Sequence, residues 1–81
     1  MNSATTLDTL SVGEQAILME ILAGSPIRRR LLDLGWVPET AVECIGRSPL
    51  GDPSAYLVRG TVIALRRRDC RQILILRKEQ L

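Results

Sequence analysis

Residues 54–66, SAYLVRGTVIALR, decide the fold class of this 81-residue chain. Two short apolar stretches meet there at Arg59 and Gly60, and a junction this tight predicts a β-hairpin. Further strands are predicted on both sides, because residues 40–45 alternate in polarity and residues 72–77 form a last apolar stretch. The hairpin therefore indicates antiparallel pairing between segments that are close in sequence.

Residues 15–22, QAILMEIL, read as the first strand. The alternation places three of its apolar side chains on one face, namely Ile17, Met19 and Ile21. Residues 66–70, RRRDC, predict a turn or a single short helical turn. Five short strands with one helix leave too little helix for parallel crossovers, so the pattern predicts a small, mainly antiparallel β-barrel. Inside it we expect a core that includes Val42, Cys44, Tyr56, Val58, Ile63 and Ile75.

Residues 24–36, GSPIRRRLLDLGW, carry the one helical pattern. Ser25 suits the N-cap, and Gly35 suits the left-handed position that follows a helix. The apolar stripe is formed by Ile27, Leu31 and Leu34. Three arginines, Arg28–Arg30, share the wetter side, and Arg29 can pair with Asp33. The pattern predicts one short amphipathic helix after the first strand.

The composition is that of a folded domain, whereas the small net charge does not identify a partner. The chain is 46% hydrophobic, with Trp36 and Tyr56 as its only aromatic residues and a net charge of +2. Residues 1–25 hold three acids and no base, whereas residues 47–81 hold eight bases and three acids. A basic face in the C-terminal half is therefore expected. No signal peptide and no apolar run near the ~20 residues of a membrane span is present, so a single soluble intracellular domain is the default expectation.

The segment RSPLGDP, residues 47–53, reads as a turn between two strands. The chain has no histidine to activate Ser48, and one glycine does not make a phosphate cradle. Its two prolines stiffen the ends of the turn, and Gly51 with Asp52 permits the reversal. Leu50 is unusual because it places an apolar side chain at the tip.

The order of these segments resembles the FeoA family, small SH3-like barrels that accompany the bacterial ferrous-iron transporter FeoB. The resemblance covers about residues 7–76 and is carried by LLDLGWVPET, SPLGDP, VRG and ALRRRDCRQILI. It implies a five-stranded SH3-like barrel over residues 1–81, with residues 1–6 and 77–81 loose. One departure is Glu39, because the position after Pro38 is usually glycine in such domains. Another is Asp69–Cys70, where many members have an acidic residue and alanine.

The resemblance implies a cytoplasmic accessory protein that binds FeoB or associates with itself. The candidate partner surface combines the basic side of the helix with the apolar tip of the turn: Arg28, Arg29, Arg30, Leu50, Gly51 and Asp52. A regulatory module remains an alternative, since similar barrels form the C-terminal domains of metal-dependent repressors. A nucleic-acid-binding barrel is a further alternative, although one tryptophan and one tyrosine do not build a stacking platform.

Catalysis and metal binding have little support in the residues present. No histidine exists, and neither carboxylates nor the two cysteines fall in a pattern typical of acid–base work or of a closed metal site. Cys44 and Cys70 are therefore interpreted as small core residues, and Trp36 as a packing residue. We expect no enzyme activity, no cofactor and no intrinsic metal site.

Overall fold

The computed structural model describes residues 4–77, and the described residues form six strands and three short helical segments. The strands are β1 Thr5–Thr6, β2 Gln15–Ile21, β3 Ala41–Arg47, β4 Ser54–Val58, β5 Thr61–Leu65 and β6 Ile73–Arg77. The helical segments are a 3-10 turn at Leu7–Thr9, α1 at Arg28–Asp33 and α2 at Arg67–Cys70. The predicted helical turn at RRRDC is thus confirmed as α2.

All six strands belong to one antiparallel sheet in the order β1-β6-β2-β3-β4-β5. The predicted mainly antiparallel fold with a short helix after a strand is confirmed. The structure has six strands where five were predicted, because Thr5 and Thr6 pair with Ile75 and Leu74 as the short strand β1. The expectation that residues 1–6 are loose is therefore wrong for these two threonines. It is also wrong for Arg77, which pairs with Ala16, while residues 1–3 and 78–81 lie outside the described part.

A register shift in β2 changes which of its side chains face the core. The pairing of β2 with β6 slips between Leu18 and Glu20, which leaves Met19 exposed. Ala16 and Leu18 are buried before the slip, and Ile21 is buried after it. The sequence placed Met19 and Ile21 on one face, and this was wrong because an extra residue in a bulge inverts the alternation that follows.

The core is filled mainly by aliphatic side chains around two aromatic rings. The expected inward residues are all buried: Val42, Cys44, Tyr56, Val58, Ile63 and Ile75. Trp36 is also buried, and its ring meets that of Tyr56 edge to face at 6.5 Å between centroids. Both cysteines are free and buried, so their interpretation as core residues, like that of Trp36, is confirmed.

Helix α1 begins later than the sequence indicated, at Arg28 instead of directly after Ser25. Ser25 still organises the start, because its Oγ accepts from Ile27 N at 3.4 Å and its carbonyl accepts from Arg28 N at 3.2 Å. Leu31 is fully buried, whereas Leu34 is 40% exposed. The prediction that Leu34 belongs to the buried stripe was wrong, because the helix ends at Asp33.

The end of α1 is a Schellman motif built on Gly35, as the sequence indicated. Gly35 has a φ of +95°, its N–H donates to Leu32 O, and the N–H of Trp36 donates to Leu31 O. A side chain at position 35 would be strained at this φ, and its Cβ would lie 2.9 Å from Arg59 Cδ. The motif turns the chain so that Trp36, and not Leu34, enters the core.

The predicted hairpin between β4 and β5 is present. Its two central residues, Arg59 and Gly60, have φ values of +52° and +79°. Positive φ at both positions is typical of the type I′ turn, whose twist matches that of paired strands. The register is unbroken from Val58↔Thr61 to Ser54↔Leu65.

The turn into β3 explains the unusual position of Glu39, which adopts a φ of +72°. Because a left-handed non-glycine residue costs about 1–2 kcal/mol, we expect Glu39→Gly to raise the free energy of unfolding by roughly 0.5–1 kcal/mol. Urea denaturation would measure the gain. Glu39→Ala is the matched control, since it keeps Cβ; an equal gain in both variants would contradict a backbone origin.

Candidate interaction surface

The loop between β3 and β4, residues 48–53, is named the tip loop, and hydrogen bonds hold it in one shape. Ser48 N donates to Pro53 O at 3.0 Å, and Gly51 N donates to Ser48 O at 2.8 Å. The Ser48 hydroxyl donates to Asp52 O at 2.8 Å. Gly51 supplies the positive φ that the reversal needs, and the segment is the turn that the sequence predicted.

Arg47 fastens the base of the tip loop to the rest of the domain. Its Nε donates to Ser54 Oγ at 2.8 Å, which joins the last residue of β3 to the first residue of β4. Its terminal nitrogen donates to Leu10 O at 2.7 Å. Charge-assisted bonds of this kind are stronger than neutral ones, so the loop is anchored at its start.

The far side of the tip loop is attached to helix α2. Asp52 Oδ1 accepts from Arg67 N at 2.9 Å, and Gly51 O lies 3.4 Å from a guanidinium nitrogen of the same arginine. The first N–H groups of a helix have no partner within the helix, and a side chain close in sequence usually accepts from them. At the start of α2 the distant Asp52 carboxylate fills this role. This contact spans 15 positions, and no local pattern in the sequence indicates it.

Leu50 is the most exposed of the large apolar side chains described, at 95%. A single exposed leucine is ordinary in itself. Here, however, the backbone on both sides is fixed by the bonds of the tip loop, so docking this side chain costs little conformational entropy. The loop presents Leu50 as a preorganised apolar contact.

The three arginines of α1 are all exposed, but they are not equivalent. Arg28 Nε donates to Ile21 O at 3.2 Å, which holds its side chain against β2. Arg29 Nε lies 3.7 Å from Asp33 Oδ1, which confirms the predicted pair. Since both partners are exposed, this pair contributes little stability and leaves charge available to a ligand.

Helix α2 lies beside the tip loop and near the segment that precedes α1. On one side Arg67 contacts the tip loop, and on the other a groove joins α2 to the start of α1. The groove is lined by Gly24, Pro26, Ile27, Arg68, Asp69 and Gln72. Gly51 and Asp52 contact α2, and Leu50 precedes them in the same loop. The groove reaches Ile27, the residue before Arg28–Arg30, but the three arginines themselves do not line it. Sequence reasoning expected only a basic face in the C-terminal half and missed the contact of Arg67 with the tip loop.

Two buried polar groups, the Cys70 thiol and the Tyr56 hydroxyl, favour their neutral forms. Burial raises the pKa of the Cys70 thiol to about 11, and burial also raises the pKa of Tyr56. The Cys70 thiol donates to the Tyr56 hydroxyl over 3.5 Å. A thiol of this kind is protonated at neutral pH and is a poor nucleophile or metal ligand. Among residues 4–77, no three His, Cys, Asp or Glu side chains cluster as a metal site would need.

The architecture is that of a small SH3-like domain. A family model for the FeoA domain matches residues 5–77, so the chain belongs to the FeoA family. None of the helices in the described region is long and apolar enough to pass through a membrane.

Solved structures of FeoA proteins share this architecture. The FeoA-like protein of Clostridium acetobutylicum aligns with a TM-score of 0.83 and 29% identity over 93% of this chain and 87% of its own. FeoA of Chlorobium tepidum aligns with a TM-score of 0.84 and 30% identity, over 91% of this chain and 70% of its own. FeoA of Stenotrophomonas maltophilia aligns with a TM-score of 0.78 and 28% identity, over 88% of each chain. It was solved with zinc and is described as a prokaryotic SH3 domain protein.

Two further matches are to longer proteins. A fusion of Fe(2+) transport protein A with the transporter FeoB in Porphyromonas gingivalis is 30% identical over 67 residues. That match covers 83% of this chain but only 8% of the fusion protein. A manganese-dependent transcriptional repressor aligns at a TM-score of 0.81 and 13% identity, over 95% of this chain and 43% of its own, which shows the fold alone.

The link between the tip loop and α2 can be tested at Asp52. Asp52→Ala leaves Arg67 N without its partner, so we expect a loss of about 1 kcal/mol in the free energy of unfolding. Asp52→Asn is the matched control, because its side-chain oxygen can accept the same bond. An equal loss in both variants would contradict the capping role of the carboxylate oxygen.

The buried thiol predicts how stability depends on pH. The pKa of Cys70 in the folded chain is about 11, against an ordinary value of 9.0. This group therefore stabilises the folded state fully below pH 9.0, and the contribution is lost as the pH rises through 11. The loss is about 3 kcal/mol. With reductant present, the unfolding free energy of Cys70→Ala should fall less steeply over this interval than that of the wild type. Equal slopes would contradict the assignment.

Proposed function

We propose that this chain is a cytoplasmic accessory protein of ferrous-iron uptake that acts by binding the FeoB transporter. The contact would be made by the tip loop together with the arginines of α2 and α1. The domain contributes recognition, and the transporter contributes the path for iron. Any nucleotide dependence of the complex would lie with the transporter.

The observation that carries this proposal is the presentation of Leu50. A side chain 95% exposed on a hydrogen-bonded loop can fill a partner's apolar pocket without first being ordered. Arg67, held against Gly51 and Asp52, places positive charge next to that contact. An apolar anchor with a basic surround fits an acidic surface that contains an apolar depression.

The fusion protein of Porphyromonas gingivalis supports the choice of partner. A FeoA part and a FeoB part in one polypeptide remain at high effective concentration, which favours even a weak contact between them. Where FeoA and FeoB are separate polypeptides, the contact relies on the affinity of the FeoA surface alone. A preorganised contact such as Leu50 is suited to that requirement.

The nucleic-acid alternative receives less support from the structure. Trp36 and Tyr56, the only aromatic residues of the chain, are both buried in the core. Single-stranded nucleic acids are usually held by exposed aromatic rings between basic side chains. The arginines are therefore better explained as contacts to acidic groups on a protein.

The proposal is tested by binding the purified chain to full-length FeoB and to its soluble cytoplasmic domain. We expect Leu50→Asp to weaken binding by at least about tenfold, because it places a charge in an apolar contact. Its melting temperature should stay unchanged, since this side chain touches solvent. Val37→Asp is the matched control, because it places the same charge at another exposed apolar side chain, which is 38% exposed. Val37 lies before the start of β3, whereas the tip loop begins at the end of β3. Equal binding by wild type and Leu50→Asp would overturn the proposal.

The same assay separates the α1 arginines from the tip loop. Replacement of Arg28, Arg29 and Arg30 by glutamate should weaken binding and remove much of its dependence on salt. Unchanged binding in that triple variant, with binding lost in Leu50→Asp, would restrict the surface to the tip loop and α2. Binding only to full-length FeoB would place the partner site outside its soluble domain.

A further inference from the structure

Strand β5 is the last strand of the sheet within residues 4–77, and its edge is unusually regular. Its five residues pair one to one with β4, without the register shifts that interrupt the β2–β6 and β3–β4 pairs. Proteins commonly protect such edges with a proline, a lysine or a bulge. None of these occurs in Thr61–Leu65, whose sequence is TVIAL.

The hairpin geometry fixes which backbone groups of β5 face outward. In a two-residue hairpin the pair that closes the turn, Val58 and Thr61, is hydrogen-bonded, and bonded pairs then alternate along the strands. Ile63 and Leu65 therefore direct their N–H and C=O groups toward β4. Val62 and Ala64 direct theirs away from it, toward the free edge.

The side chains beside this edge form a row that ends in a positive charge. Val62 is 56% exposed, and Ala64 is exposed on the same face. Arg66 follows with φ −73° and ψ 151°, so it continues the extended conformation and falls on that face as well. The row Val62, Ala64, Arg66 is apolar over two positions and basic at the third.

The charge around the edge decides between possible occupants. Residues 59–71 contain five arginines and one acid. Pairing of β5 with β5 of a second copy would bring two such regions together, and their repulsion opposes it. An acidic segment from another protein gains from the same charge, so charge complementarity favours it.

We propose that the free edge of β5 binds an extended acidic segment of a partner protein as a seventh, antiparallel strand. Its backbone would bond to Val62 and Ala64. An acidic side chain would lie beside Arg66, and apolar side chains at the second and fourth positions after it would lie beside Ala64 and Val62. This mode of binding differs from insertion of Leu50 and does not require that the partner be FeoB.

The experiment uses the isolated chain and two short synthetic peptides. One has a glutamate followed at alternate positions by two valines, and the other has lysine in place of that glutamate. Hydrogen exchange should show fast exchange at Val62 and Ala64 in the free chain and slow exchange at Ile63. Saturation with the glutamate peptide should slow exchange at Val62 and Ala64 specifically.

Two variants test the backbone and the charge separately. Ala64→Pro removes an outward N–H that β4 does not use, so the domain should fold and bind the glutamate peptide about tenfold more weakly. Ala64→Thr keeps the N–H and should bind as the wild type does. Arg66→Glu should weaken binding of the glutamate peptide about three- to fivefold and favour the lysine peptide instead.

Several outcomes would overturn the proposal. Slow exchange at Val62 and Ala64 in the free chain would show that the edge is already covered. Slowing that appears only as the protein concentration rises would identify a second copy as the occupant. Binding of the glutamate peptide that leaves both amides unchanged would place it elsewhere, even where Ala64→Pro fails to fold. Because no transporter is present, a failure here leaves the FeoB proposal intact.

Discussion

The pairing of β2 on both of its edges is the constraint on which the rest of this structure depends. It joins β3 on one side and β6 on the other, so it connects the middle of the chain to its C-terminal part. Burial of Ala16, Leu18 and Ile21 fixes that double pairing from the core side. As a consequence β4 and β5 extend the sheet outward from β3, and β5 becomes an edge. Helix α2, which links β5 back to β6, then lies beside the tip loop.

Features set by neighbouring residues could be predicted from the sequence, whereas features set by distant contacts could not. Gly35 marks the helix end, and Arg59–Gly60 marks the hairpin, because the required φ values depend on local chemistry. The bulge at Met19 depends on the register between β2 and β6. That register cannot be predicted from the alternation of residues within β2. Strand β1 is too short to carry a pattern. Of the candidate surface, the sequence indicated Leu50 and the arginines but not the bond from Arg67 to Asp52.

The distribution of chemistry in the molecule favours recognition over catalysis. Two groups with intrinsic reactivity, the Cys70 thiol and the Tyr56 hydroxyl, are buried, and burial raises the pKa of both. The groups available to a partner are an ordered leucine, exposed arginines and the outward backbone of β5. These can provide apolar burial, charge complementarity and strand pairing, the three physical means by which small domains bind other proteins. The chain belongs to the FeoA family, which is consistent with the proposed recognition role in ferrous-iron transport.

The most direct test of the central claim is to map the contact residue by residue. Amide chemical shifts of the isotopically labelled chain would be followed by NMR during titration with the soluble cytoplasmic domain of FeoB. We expect the largest changes in the tip loop, residues 48–53, and in residues 66–71 that adjoin it. Changes centred on residues 34–39 and on the hairpin turn at Arg59 and Gly60, with the tip loop unaffected, would contradict the account.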